Sequence, residues 1–294
     1  MSRVCSRRIA RVTMALTLAM PYTLGVAQAG PAMRIVSLAP NITELLYSVG
    51  AGDRLIAAVE YSDYPLAAKK LPRVGDAFRV DYERVLELKP DLIITWKDGS
   101  PPVVVEELRR LKLPVRELRI AGLSGVADAL RELGAWTGTS AQAEQVASDY
   151  LQRLAALRAA HVADAPLTVF FEISETPLYT VNDQHPISEV IRLCGGRNVF
   201  ADLTGLAPAV GIESVIARNP NVILVPDDEP TALASWTRWS RLAAVKNHNL
   251  YSVSSDRISR TTVRILEGAT EICAKLADAR KRLAGPAPAS TTAR

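Results

Sequence analysis

The stretch Glu83-Arg-Val-Leu-Glu-Leu-Lys-Pro90-Asp-Leu-Ile-Ile94 recurs 130 positions later as Glu213-Ser-Val-Ile-Ala-Arg-Asn-Pro220-Asn-Val-Ile-Leu224. In both copies a short amphipathic segment stops at a proline, which cannot continue a helix, and an apolar run follows. Each copy therefore predicts a short helix followed by a buried strand. Because the unit occurs once in each half of the chain, we expect two lobes of the same topology.

The alternation of strands and helices extends outward from both copies. Arg34–Leu38 is a predicted strand, and the helix after it is predicted to begin at Asn41, with Glu44 completing a capping box. Leu167–Phe171 and Leu250–Val253 are predicted strands of the second half. Short apolar strands that alternate with amphipathic helices predict an α/β fold with parallel-rich sheets covered on both faces.

A long helix is predicted between the two halves. Residues 139–161 contain no glycine or proline, and a helix of about 22 residues extends about 33 Å. We expect it to connect an N-terminal lobe at residues 30–137 with a C-terminal lobe at residues 165–284, the connecting helix taking up residues 138–164. Alternatively, this helix does not connect the lobes but covers the sheet of a single lobe. Residues 285–294, rich in Pro, Ala, Ser and Thr, are predicted to be disordered.

The N-terminus has the composition of a secretory signal peptide. Residues 1–29 carry four arginines and no acid, then an apolar stretch, then Ala27-Gln-Ala29. We predict cleavage near Ala29 and export of the mature chain, because Pro21 and Gly25 interrupt the apolar run that a membrane anchor would need. Subtracting the four arginines from the formal charge of +4 leaves residues 30–294 neutral. That balance argues against a nucleic-acid partner.

The remaining motifs favour binding over catalysis. Cys194 and Cys273 remain after signal cleavage, as a disulfide that closes 79 positions or as two buried thiols. The three histidines, His161, His185 and His248, show no zinc spacing, and no hydrolase or phosphate-loop motif occurs. We therefore expect neither an enzyme nor a bound metal.

Aromatic and charged residues follow several predicted strands. Ligands of open α/β sheets bind beyond the carboxyl ends of the strands, so we expect these residues to face one cleft between the lobes. They are Tyr61, Tyr64, Trp96, Tyr179, Asp256 and Arg260. Glu83 and Glu213 hold equivalent places in the repeat, where a first-turn acid is also favoured by the helix dipole.

Several stretches resemble the helical-backbone class of periplasmic substrate-binding proteins of ABC importers, the class III periplasmic binding proteins. They are Ile35–Glu44, Leu88–Ile94, Cys194–Phe200 and Trp239–Asn247. Other stretches resemble, more specifically, the members of this class that bind cobalamin (vitamin B12). They are Tyr61–Pro65, Thr95-Trp96, and Ser255-Asp256 with Arg260 and Arg264. The resemblance covers almost all of residues 33–280.

The resemblance implies two Rossmann-like lobes joined by one long backbone helix. It also implies a monomeric carrier that delivers cobalamin, as a transported ligand and not a cofactor, to an inner-membrane ABC permease with its ATPase. It pairs Cys194 with Cys273 in a disulfide and assigns permease docking to Glu83 and Glu213. The ligand-binding residues are then Tyr61, Tyr64, Phe78, Trp96, Tyr179, Asp256 and Arg260.

The chain departs from the cobalamin binders at two positions. Ala77 and Ala207 stand where those proteins carry tryptophan, which would remodel the cleft. One alternative is a haem or ferric-siderophore carrier of the same fold, in which His185 near Tyr179, or one of the tyrosines, would bind iron. A further alternative is an exported hydrolase whose site is dispersed along the chain.

Overall fold

The computed structural model of the protein describes residues 30–76, 78–161, 165–229 and 231–284. The predicted signal peptide, the predicted disordered tail and Ala77 lie outside the described residues. Within the described ranges, none of the helices combines the length and the hydropathy that crossing a bilayer would take.

The N-terminal lobe is built on a parallel sheet of four strands in the order β2-β1-β3-β4. The strands are β1 (Ile35–Ser37), β2 (Leu55–Ala58), β3 (Leu92–Trp96) and β4 (Val115–Leu118). The helices of this lobe are α1 (Pro40–Ser48), α2 (Tyr82–Leu88), α3 (Pro102–Arg110) and α4 (Gly125–Thr137), with short 3₁₀ turns at Gly52–Arg54 and Leu66–Lys70.

Helix α5 (Ser140–Ala160) follows and is 21 residues long, or about 32 Å. It lies antiparallel to α4, and the two helices approach closely at Gly134, where a Cβ atom would lie 2.4 Å from the Cβ of Ala143. Only glycine fits that contact. The Tyr150 hydroxyl donates a hydrogen bond of 2.8 Å to the carbonyl of Leu123 and fixes α5 to the N-terminal lobe.

The C-terminal lobe repeats the arrangement. Its strands are β5 (Leu167–Phe171), a hairpin of β6 (Ser174–Glu175) and β7 (Leu178–Tyr179), then β8 (Gly196–Asn198), β9 (Val222–Pro226) and β10 (Leu250–Val253). Its helices are α6 (Pro186–Leu193), α7 (Ile212–Arg218), α8 (Ala232–Thr237), α9 (Ala243–Lys246), α10 (Ser255–Ile258) and α11 (Ile265–Ala284). The hairpin, β8 and the short helices α8 to α10 were too short to be predicted from hydrophobic periodicity.

The two lobes share one topology, as the sequence repeat predicted. The main sheet of the C-terminal lobe runs β8-β5-β9-β10, which matches β2-β1-β3-β4 strand for strand, and all its pairings are parallel. Helices α2 and α7 each have seven residues and end at a left-handed residue, Lys89 (φ 46°) and Asn219 (φ 43°). The prediction of an α/β fold with two parallel-sheet lobes is therefore confirmed.

A single buried cluster of apolar side chains joins the lobes. It runs from Ile35 and Leu46 in the N-terminal lobe, through Tyr150 and Leu154 of α5, to Ile272 of α11. Such a shared core resists relative motion of the lobes, because separating them would expose apolar surface at a cost of about 25 cal/mol per Å².

The predicted capping box at the start of α1 is wrong. The helix begins at Pro40, whose fixed φ suits the first helical position, and Ala39 precedes it without a side-chain cap. Glu44 is buried instead of reaching back to the helix start.

Cys194 and Cys273 form the disulfide that the family resemblance implied, and the alternative of two free thiols is excluded. The bond joins the end of α6 to the middle of α11, with the two Cα atoms 4.6 Å apart and a sequence separation of 79. Both cysteines are fully buried, so the bond lies inside the shared core.

We expect the double variant Cys194→Ala/Cys273→Ala to lower the free energy of unfolding by about 2–4 kcal/mol. Without the crosslink, the unfolded chain gains conformational entropy, which favours unfolding. Guanidinium titration would measure this change. Dithiothreitol should destabilise the unmodified protein and leave the variant unchanged. Equal unfolding midpoints for the two proteins would contradict a stabilising role for the bond.

Candidate functional site

A cavity of about 280 Å³ opens between the lobes at the carboxyl ends of the strands. Residues after β1, β2 and β3 line most of it, and the C-terminal lobe contributes two residues after α10. Four predicted ligand-binding residues meet here: Tyr61, Phe78, Trp96 and Arg260. The other lining residues are Ala39, Pro40, Asn41, Gly99, Ser100 and Ser259.

Two aromatic side chains of the cavity are unusually exposed. Tyr61 is 77% and Phe78 is 71% exposed, although side chains of this size are usually buried. Asp76 fixes the turn that carries Phe78, because its carboxylate accepts hydrogen bonds from the backbone N–H groups of Phe78 (2.7 Å) and Arg79 (2.8 Å). These bonds hold the pKa of Asp76 below its usual range.

Trp96 is held in place by the turn that follows β3. Its backbone N–H donates to the Ser100 hydroxyl (3.1 Å), and a Cβ atom at Gly99 would lie 2.0 Å from the indole ring. Glycine at position 99 is therefore needed for the ring to lie over the turn. The ring is half-buried and packs against the shared core, so it offers a rigid wall to the cavity.

Arg260 crosses from the C-terminal lobe to the loop after β2. Its guanidinium donates to the Asp63 carboxylate (2.7 Å) and to the backbone carbonyl of Tyr61 (3.0 Å), and Asp256 lies 3.9 Å away. Burial alone would raise the pKa of Asp63, but the hydrogen bond and charge of Arg260 outweigh burial and hold that pKa below its usual range. Arg260 thus fixes the Tyr61 loop and keeps spare N–H groups, since guanidinium has five.

Three predicted residues do not line this cavity. The Tyr64 ring stacks under the guanidinium of Arg264, with 3.6 Å between the guanidinium carbon and the ring centroid. Tyr179 pairs with Ser174 in the β6–β7 hairpin and is 37% exposed. The side chain of Asp256 is 65% exposed at the start of α10, beside Arg260.

Glu83 and Glu213 occupy the first turns of α2 and α7 and are both exposed. Within the described part of the chain, neither carboxylate is in an ion pair. The two helix starts differ, because Asp81 caps α2 by accepting from the N–H of Arg84 (2.9 Å), whereas Gly211 gives α7 no side-chain cap. The interaction of a first-turn acid with the helix dipole therefore contributes more to the N-terminus of α7, through Glu213, than to that of α2, through Glu83.

A larger pocket of about 630 Å³ lies on the C-terminal lobe alone, between α7 and the residues around Trp239. It contains none of the predicted ligand-binding residues. Its walls come from one lobe, whereas the strand-end rule places ligands where several strand ends converge. We therefore take the smaller cavity between the lobes as the candidate site.

Sequence reasoning missed an ion pair beside the cavity. Glu44 of α1 pairs with Arg264, and both oxygens of Glu44 accept hydrogen bonds of 2.9 Å from the guanidinium. The Thr262 hydroxyl also donates to Glu44. No local signal could have revealed this contact, because its partners are 220 positions apart.

The chain is similar to proteins of known role. Residues 35–256 match the sequence profile described as periplasmic binding protein. The vitamin B12-binding protein of Vibrio cholerae serotype O1 is 37% identical over 253 residues, which cover 86% of this chain and 92% of the relative. The protein of the same name from Pectobacterium atrosepticum is 35% identical over 252 residues, covering 83% and 88%.

Solved structures agree with this similarity. The crystal structure of the periplasmic vitamin B12 binding protein BtuF of Vibrio cholerae matches with a TM-score of 0.80 at 38% identity, covering 85% of this chain and 99% of that one. The periplasmic heme-binding protein RhuT from Roseiflexus sp. RS-1 shares the fold, with a TM-score of 0.76 at 22% identity and coverage of 85% and 100%. The profile match and the extent of these similarities show that the chain belongs to the periplasmic binding protein family.

Proposed function

We propose that this protein is the substrate-binding component of an ABC importer, and that it captures cobalamin in the periplasm and delivers it to the membrane permease. The observation that carries the proposal is the meeting of Tyr61, Phe78, Trp96 and Arg260 around one cavity between the lobes. The similarity to vitamin B12-binding proteins over most of the chain supports cobalamin as the ligand.

The cavity suits a bulky ligand that is only partly enclosed. Small-ligand sites usually measure about 300–1,000 Å³, so a cavity of 280 Å³ would take in one part of a cobalamin molecule. The exposed faces of Tyr61 and Phe78 would cover apolar surface of the corrin ring. Arg260 and the exposed carboxylate of Asp256 would bind the ligand's amides or phosphate.

The two alternative functions receive less support. His185 does not line the cavity; its Nδ1 accepts a hydrogen bond of 3.2 Å from Ile187 at the start of α6, and burial lowers its pKa to about 4. This position does not favour an iron-binding role. For a hydrolase, Ser100 and Ser259 reach the cavity, but its lining residues include no histidine that would act as their base.

We expect the mature protein to bind cyanocobalamin, and not haemin, in isothermal titration. Tyr61→Ala and Phe78→Ala should each weaken the affinity about tenfold, because each removes an exposed aromatic wall without creating a core cavity. Leu66→Ala is the matched control, since Leu66 is 76% exposed in the same region but does not line the cavity. If Tyr61→Ala and Phe78→Ala bind cyanocobalamin as tightly as the control does, these two side chains do not belong to the binding site. Binding of haemin alone would overturn the choice of ligand.

We further propose that Glu83 and Glu213 dock the loaded carrier on basic residues of the permease. Their equivalent positions in the two lobes would give one acid on each side of the cleft. Complementary charges at a docking surface increase the rate of encounter and fix the orientation of the partners.

The double variant Glu83→Ala/Glu213→Ala should bind the permease at least about tenfold more weakly at low salt and keep its affinity for cyanocobalamin. Surface plasmon resonance on nanodiscs that contain the cobalamin permease of the same organism would measure docking. Glu106→Ala/Asp149→Ala, which removes two exposed acids of α3 and α5, is the matched control. If docking is unchanged, Glu83 and Glu213 contribute only to the stability of the N-termini of α2 and α7.

Export to the periplasm also follows from the proposed function. The segment ending in Ala27-Gln-Ala29 would direct secretion and then be removed. Intact-mass spectrometry of the protein purified from the periplasm should give a chain that begins at Gly30. A mature protein that retains its first 29 residues would contradict the signal-peptide assignment.

A further inference from the structure

The pairing of Glu44 with Arg264 is the most deeply buried ion pair between the lobes among the described residues. The side chain of Glu44 is 1% exposed and that of Arg264 is 12% exposed. Glu44 belongs to α1 of the N-terminal lobe, and Arg264 immediately precedes α11 of the C-terminal lobe. The pair therefore lies where the two lobes meet.

The same arginine also holds the loop that forms the cavity. Its guanidinium lies over the ring of Tyr64, three residues after the cavity residue Tyr61. Its other contact, α1, begins with Pro40 and Asn41, which line the cavity. One side chain of the C-terminal lobe thus contacts two N-terminal elements that shape the cavity.

The chemistry of this contact makes it sensitive to distance. A planar guanidinium that bonds both oxygens of a carboxylate has one favourable geometry, which an ammonium group does not impose. Two desolvated charges are stable only when they are fully paired, so a change in the spacing of the lobes would leave both under-bonded. The hydroxyl of Thr262 adds a third hydrogen bond to the same carboxylate.

We propose that Glu44 and Arg264 form a latch that sets the spacing of the lobes and holds the cavity in its binding shape without touching the ligand. The effect on ligand affinity rests on the proposed function, whereas the effect on lobe spacing does not. Both residues are positioning residues: they act through α1 and through the loop of Tyr61 and Tyr64.

Arg264→Lys tests the latch, because lysine keeps the charge but loses the two-pronged bond and the flat stacking surface. Arg218→Lys is the matched control. Arg218 likewise bonds both oxygens of a carboxylate, Asp202 (2.6 and 2.9 Å), and lies 4.5 Å from the ring centroid of Phe200, but all three residues belong to the C-terminal lobe. Both variants therefore lose a two-pronged bond and a ring contact, Arg264→Lys between the lobes and Arg218→Lys within one lobe at a more exposed pair.

Two measurements separate positioning from a merely structural role. Spin labels on cysteines introduced at the exposed positions Glu83 and Lys246 would report the distance between the lobes by pulsed electron paramagnetic resonance. Stopped-flow measurement would give the dissociation rate of cyanocobalamin. We expect a broadened distance distribution in the ligand-free Arg264→Lys protein and dissociation about tenfold faster, with neither change in Arg218→Lys.

A narrow, unshifted distance distribution in Arg264→Lys, with dissociation as slow as in the control, would overturn the latch. If Arg264→Lys does not fold, Tyr64→Leu removes only the stacked ring, which is 44% exposed, and should broaden the distance distribution in the same direction. If the unmodified protein does not bind cyanocobalamin, the proposed ligand is wrong, and the distance measurement still decides the latch.

Discussion

One buried cluster of side chains passes through both lobes, and the geometry of the cleft depends on it. The cluster includes strands of both sheets and the inner face of α5, and the Cys194–Cys273 bond crosslinks it on the side of α6 and α11. Because packed interiors transmit strain and do not deform continuously, this cluster limits how far the carboxyl ends of the two sheets can move relative to each other. A cleft of this kind can be largely formed before its ligand arrives, which lowers the ordering cost of binding.

Two arginines at the seam between the lobes each pair with a carboxylate of the opposite lobe. Arg260 and Arg264 both come from the C-terminal lobe, and the carboxylates they bond, Asp63 and Glu44, both come from the N-terminal lobe. For the buried pair of Glu44 and Arg264, removing one partner would cost about 3–5 kcal/mol, because the other charge would remain desolvated. These pairs therefore add a directional preference for one arrangement of the lobes, since hydrogen bonds between charged groups depend on geometry and the hydrophobic effect is non-directional.

The fold was predictable because its signals are local. The strands at Leu167–Phe171 and Leu250–Val253 were predicted with their observed bounds, since a short run rich in apolar residues can be found without knowledge of distant residues. The strand-end rule also brought Tyr61, Trp96 and Arg260 to one cavity, but it could not give the direction of each side chain, and Tyr179 lies in a separate hairpin. Glu44 fitted a local capping pattern, and its real partner could be found only in three dimensions.

The two lobes have one topology but contribute unequally to the cavity. All but two of the lining residues belong to the N-terminal lobe, and the C-terminal lobe adds Ser259 and Arg260. Ala207, where cobalamin binders of the resembled class carry tryptophan, lies in an exposed loop and offers little surface for stacking. A flat ligand would therefore rest mainly on the aromatic side chains of one lobe. The other lobe supplies Arg260 and Arg264, which contact the loop that carries Tyr61 and Tyr64. Under the proposed function, binding would therefore depend on lobe positioning as well as on direct contact.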